Sequence, residues 1–181
     1  CDFTVPRDLA GARLHTVEWY TQLRAVLAPG GVLAVNAASP SQTPAAYWSI
    51  YNSLRAAKLN PRPYRIALPS FTDAGYGDDW GFFVGSPKAL RPKEFASLTF
   101  AEPRTFLQSA EQLGRSFAFP AALAAKRSAA PPTSLGSEWL LQALFNPTWD
   151  DASGTDWDAL DWSHDPALLP KSSQRSQLLP Y

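Results

Sequence analysis

Two helix-patterned segments separated by a short apolar run constrain this chain more than any other feature. In residues 12–27, Val17, Tyr20, Leu23 and Leu27 recur at spacings of three and four, which puts them on one helix face. Pro29-Gly30-Gly31 stops that helix. Residues 32–37 then form an apolar run of strand length, as expected of a strand covered on both faces. After a loop from Ser39-Pro40 to Pro44, residues 45–58 resume helical spacing, with Tyr47, Ile50, Tyr51 and Leu54 inward. Helix, strand, helix and a further strand in alternation predict an α/β fold whose sheet is mostly parallel with crossover helices.

Beyond Pro61 and Pro63, residues 64–68 and 80–86 read as strands joined by the Gly- and Asp-rich stretch Thr72–Asp79. That connection predicts an antiparallel pair at the sheet edge. A helix is expected over 103–113, starting at Pro103. Pro131-Pro132 reads as a linker, and residues 137–145 as a short helix carrying Trp139, Leu140, Leu141 and Leu144. From Asn146 onward irregular structure is expected. Gly75-Tyr76-Gly77 precedes no helix, so it does not read as a phosphate-cradling loop.

Composition excludes several classes. Apolar residues make up 45% of 181, which suits a globular core rather than a disordered chain. Formal net charge is zero, so there is no nucleic-acid footprint. No apolar run reaches membrane-spanning length, and the start lacks the basic and apolar regions of a signal peptide. His15 and His164 are isolated and lack metal-ligand spacing, so no metal is expected. Charge is nevertheless uneven. Residues 1–149 carry 14 basic and 10 acidic side chains, whereas 150–165 carry six aspartates and no Lys or Arg. The chain therefore divides into a body, 1–149, and an acidic extended tail, 150–181, in which Trp157 and Trp162 mark a docking surface for a protein partner.

Several motifs fall in a telling order: Asp2 to Pro6, Glu18-Trp19-Tyr20, Leu27 to Gly31, Ala38-Ser39-Pro40, Leu68 to Phe71 and Trp80-Gly81-Phe82. In order and spacing this set resembles the spermidine synthase family, the polyamine aminopropyltransferases. It is most similar to the bacterial branch in which the domain follows a set of membrane helices. The likeness covers roughly residues 1–145. It implies the C-terminal half of a Rossmann-like, class I methyltransferase-type fold, entered at a strand tip. It also implies that the glycine-rich loop and the acidic ribose-binding residue belong to an N-terminal half absent from this chain, supplied by the same protein or by a separate chain. A cytoplasmic or membrane-associated setting would follow from the same resemblance.

The implied reaction moves an aminopropyl group from decarboxylated S-adenosylmethionine to an amine. The resemblance maps the catalytic carboxylate onto Asp2 and substrate-binding positions onto Val5, Asn36 and Phe71. A nearby carboxylate can hold an ammonium, orient it and take its proton as attack proceeds. Decarboxylated S-adenosylmethionine or a related nucleoside would bind only together with the missing half. Three positions depart from the family pattern. Val5 stands where a second aspartate is expected, Asn36 is one methylene shorter than the family glutamine, and Phe71 lacks a tyrosine hydroxyl. These departures, and the Trp-bearing tail, favour the alternative that the chain is a non-catalytic subunit or scaffold domain, a pseudoenzyme in a larger assembly. Trp80 and Phe82 read as core residues of the edge strands.

Overall fold

The computed structural model describes residues 1–3, 5–73, 75, 79–91 and 110–145. Its strands are β1 (Leu33–Asn36), β2 (Arg62–Ile66) and β3 (Trp80–Gly85). The helices are α1 (Leu9–Ala12), α2 (Val17–Val26), α3 (Pro44–Ala56), α4 (Pro69–Asp73), α5 (Ala110–Ser116), α6 (Ala121–Ala125) and α7 (Trp139–Phe145). Short 3-10 turns follow α1 at Arg13–His15 and α6 at Lys126–Ser128. None of the described helices is long and apolar enough to cross a membrane. The tail 150–181 and most of the expected helix 103–113 lie outside the described residues.

Helix α3 is the centre of the core. Pro44 opens it, where a missing N–H costs nothing. Tyr47, Trp48, Ile50 and Leu54 are buried to 1% exposure or less. Of these, Tyr47 packs on β3, where side chains alternate between faces. Phe83 turns toward α3 and stacks on Tyr47, ring centres 4.6 Å apart, while Phe82 turns away and stacks on Tyr64 at 5.2 Å. Gly81 shares the Phe83 face, and its missing side chain is what lets Tyr47 lie so close. A Cβ there would sit 2.2 Å from Tyr47 Cε2 and 2.7 Å from the Ala38 carbonyl oxygen. The Tyr47 hydroxyl reaches across to donate toward the carbonyls of Phe82 and Tyr64.

The sheet order is β1-β3-β2, with both neighbouring pairs antiparallel. This corrects the expectation of a mostly parallel sheet among the described residues. The expected antiparallel pair at the sheet edge is present, with β2 outermost against the reversed strand β3. That reversed strand inserts between β1 and β2, which therefore run parallel to each other without touching. Cys1 lies alongside β1: its amino nitrogen donates to the Ala34 carbonyl at 2.8 Å, and Asn36 N–H donates to its carbonyl at 3.0 Å. Bonds from one residue to positions i and i+2 of a neighbour are the slanted pattern of a parallel pair.

Two other expectations need correction. The first helix does not run unbroken over 12–27, because Thr16 is extended (φ −88°, ψ 161°) and its hydroxyl caps α2 by accepting from Trp19 N–H at 3.3 Å. The Pro131-Pro132 segment is no slack linker. Ser49 Oγ donates to the Pro131 carbonyl at 2.6 Å, Thr133 N–H donates to Ser53 Oγ at 2.8 Å, and Val17 N–H donates to the Thr133 carbonyl at 2.9 Å. Polar groups of α3 and α2 are thereby satisfied in the interior, where leaving them unmade would be costly.

The close approach at Gly81 gives a test. Gly81→Ala should destabilise the fold by about 3 kcal/mol, since neither a packed ring nor a backbone carbonyl can yield cheaply. Gly85→Ala, whose added carbon would meet Leu59 at an ordinary 3.7 Å, should stay within about 1 kcal/mol of the parent. Urea unfolding of both variants measures the difference.

Candidate functional site

The carboxyl ends of β1 and β2 and the amino end of β3 form one rim of the sheet. In open α/β sheets this is where ligands bind. Asn36 closes β1 on this rim, and its side chain is fully engaged. Its amide nitrogen donates to Asp2 Oδ1 at 2.9 Å and to the Phe3 carbonyl at 3.3 Å, and its amide oxygen accepts from Trp80 Nε1 at 2.5 Å. Trp80, 4% exposed, opens β3. Phe71, on α4, meets the indole edge-on, ring centres 5.0 Å apart.

Asn36 thus links Asp2 to Trp80, and Phe71 packs on the same indole. Val5 is half-buried and packs against the hydrophobic core. Trp80 proves to be interior, as its sequence context suggests, yet its N–H points into the polar cluster. Phe82 is less buried than Trp80 or Phe83. The exposed Asp2 carboxylate can pair with a cation arriving from solvent, and the neutral amide beside it does not neutralise its charge.

A second polar cluster occupies the same rim. Asp79 Oδ1 accepts from Ser39 Oγ at 3.1 Å, Ser41 Oγ at 2.5 Å and Ser41 N–H at 3.3 Å, and Arg65 Nη1 lies 2.9 Å from Oδ2. Burial on its own would raise the Asp79 carboxyl. The hydrogen bonds from Ser41, Arg65 and Ser39 outweigh burial and hold it below the usual carboxylate range. An open cleft of about 480 Å³ adjoins this cluster, lined by Ser41, Arg65, Asp79, Gln112, Arg115 and Ser116 among others. Sequence reasoning missed it. Asp79 sits in a Gly- and Asp-rich stretch that reads as a solvated connection, and its partners lie 14 to 40 residues away. The available signal was Ser39, one residue of a motif already singled out.

Behind Asp2 the chain is anchored by aromatic contacts. The Phe3 ring packs edge-on against His15 at 6.3 Å and against Trp19 at 6.1 Å. His15, 1% exposed, shares a 3.1 Å hydrogen bond between Nδ1 and the Tyr20 hydroxyl. No group of three or more His, Cys, Asp or Glu arranged to hold a metal occurs among the described residues.

No protein-family model matches the chain. Curated relatives do. A polyamine aminopropyltransferase of Mycobacterium tuberculosis is 40% identical over 80 residues, covering 44% of this chain and 14% of the relative. Polyamine aminopropyltransferase 1 of Streptomyces coelicolor is 36% identical over 91 residues, 50% of this chain and 16% of the relative. Polyamine aminopropyltransferase 2 of Ralstonia nicotianae is 27% identical over 150 residues, 82% of this chain and 27% of the relative. The matched segment is therefore less than a third of each relative's length.

The seat beneath Asp2 should respond to acid. Desolvation by burial lowers His15 from its ordinary 6.5 to about 4. The unfolded chain takes up this proton near pH 6.5 and the folded chain resists until about pH 4. Stability from neutral His15 is thus complete above pH 6.5 and lost as pH falls toward 4, on the order of 3 kcal/mol in all. Thermal unfolding at pH 7 and pH 4 should show a smaller acid-induced loss in His15→Gln than in the parent.

Proposed function

We propose that this chain, similar over part of its length to polyamine aminopropyltransferases, is of the spermidine synthase family and forms the acceptor-side portion of an aminopropyltransferase. The fold reading is the back half of a Rossmann-like, methyltransferase-type sheet. In its support, β1 and β2 run parallel with a reversed strand between them, and Cys1 bonds to β1 as a parallel neighbour would. The nucleoside-holding half is supplied from outside these residues, by the same protein or by a separate chain. The tail 150–181 is assigned to a protein partner.

The observation that carries the reading is the exposed Asp2 carboxylate, held by Asn36 on the ligand rim. The donor is decarboxylated S-adenosylmethionine. The acceptor amine carries a proton at neutral pH, its pKa being near that of lysine, about 10. Asp2 pairs with this ammonium and turns it toward the donor. Asp2 or a water takes one proton from the ammonium, and the freed nitrogen lone pair attacks the aminopropyl carbon bound to sulfur. The new C–N bond forms as the C–S bond breaks, and the bonding pair leaves with sulfur as the neutral thioether methylthioadenosine. The product nitrogen, now a secondary ammonium, carries the positive charge that sulfur gives up. The sulfonium is already a good leaving group, so alignment supplies much of the acceleration.

Val5 favours a second reading. It packs on the core and, being apolar, adds no second anion for a diamine, and a scaffold subunit would need none. Calorimetry of the complete protein with decarboxylated S-adenosylmethionine, S-adenosylmethionine and methylthioadenosine separates the two. Heat with the decarboxylated donor, together with aminopropyl transfer that falls roughly 100-fold or more in Asp2→Asn, is the expected result. Absence of heat with all three nucleosides leaves the scaffold reading.

A further inference from the structure

We propose that Trp80 is a positioning residue that fixes which end of the Asn36 amide faces Asp2, and so aims the carboxylate. The inference rests on Asp2 being the acceptor-binding carboxylate. A carboxamide can turn over in place, exchanging an acceptor for two donors with little change of shape. An indole N–H cannot: it donates and never accepts. Trp80 Nε1 lies 2.5 Å from Asn36 Oδ1, so the amide oxygen is the atom that must face the indole. The amide nitrogen is then committed to the opposite side, where Asp2 Oδ1 at 2.9 Å and the Phe3 carbonyl at 3.3 Å accept its two hydrogens. Turned over, the amide would set its oxygen against both of these oxygens and its hydrogens against the indole N–H, losing every one of these contacts.

The device is built on rigid parts. Asn36 faces Phe82 in the β1–β3 register, and Trp80 faces Ile66 in the β2–β3 register, so both backbones are held by the sheet. Phe71 closes on the indole from α4. This gives Phe71 a different role from contact with the acceptor: it backs the ring whose N–H sets the amide. Burial of the indole keeps water from competing for that hydrogen bond, which strengthens it. The same amide also ties down the Phe3 carbonyl, so the peptide carrying Asp2 is clamped from one side by Asn36 and from the other by the packing of the Phe3 ring on His15 and Trp19.

The test removes one hydrogen-bond donor while keeping a buried aromatic ring. In the complete protein, Trp80→Phe should lower kcat roughly tenfold, the scale of one lost hydrogen bond in a positioned network, with KM for the nucleoside donor unchanged. Asn36→Ala should lose a similar factor. If the indole acts through the amide, the double variant should be no worse than Asn36→Ala alone. Losses that multiply, a change confined to donor KM, or full activity in a folded Trp80→Phe would overturn the proposal. A second arm needs neither turnover nor a substitution at Trp80. In protein labelled with 15N at Trp and Asn, Asp2→Ala should shift the Asn36 side-chain amide pair, and Asn36→Ala should shift the Trp80 indole N–H. Absence of either shift would also overturn it. If the parent protein transfers no aminopropyl group, the functional reading fails and the labelled spectra still decide the wiring.

Discussion

The close contact of Tyr47 with β3 is the constraint on which the rest of the structure depends. An α-helix normally stands off from a sheet by the thickness of its side chains. Here Gly81 removes one layer, and the Tyr47 ring settles over the gap while stacking on Phe83. This seats α3 over the middle strand, from which Trp48 and Tyr51 extend the aromatic contacts toward Phe119 and Phe83. With β3 held in the centre, its amino end falls between the carboxyl ends of β1 and β2. Trp80 and Asp79, adjacent in sequence, are thereby delivered to the rim where the Asn36 and Arg65 side chains meet them.

Neighbouring residues thus serve two separate polar systems. Asp79 is anchored by two serines and an arginine, and it ties the loop after β1 to the end of β2. Such a saturated carboxylate has little capacity left for a ligand. Asp2 is exposed and held by a neutral amide. Charge alone would not tell these carboxylates apart. Their surroundings do, since a guanidinium neutralises one, with two serine hydroxyls donating to it, and the other is left able to meet a cation.

Helical spacing made α3 legible in the sequence, because Tyr47, Ile50, Tyr51 and Leu54 repeat at three and four and all turn inward. The Pro-Gly-Gly stop was legible for a local reason too: Gly30 takes a φ of 77°, open to glycine at no steric cost. What stayed hidden is settled by distant partners. Periodicity says that residues 64–68 and 80–86 are strands, not that the later one slides between β1 and β2. Two prolines in a row look like slack chain until Ser49 and Ser53, some 80 residues earlier, prove to hold the segment. In the site, motif order brought Asp2, Asn36 and Phe71 into view. That Asn36 touches Asp2, and that Trp80 links Asn36 to Phe71, depends on register, which no single motif records.

The hydroxyl stitching of α3 to the 130s also bears on how the protein is made. Ser49 and Ser53 find their partners at Pro131 and Thr133, across separations of 82 and 80 residues. Contacts this far apart close late, because a long loop must be ordered before they repay it. A nascent chain emerging from the ribosome can wind α3 early, yet one flank of that helix keeps waiting for a segment still to be translated. Synthesis order therefore imposes a vulnerable interval, during which the helix at the heart of the core is solvated on the side that the finished protein seals.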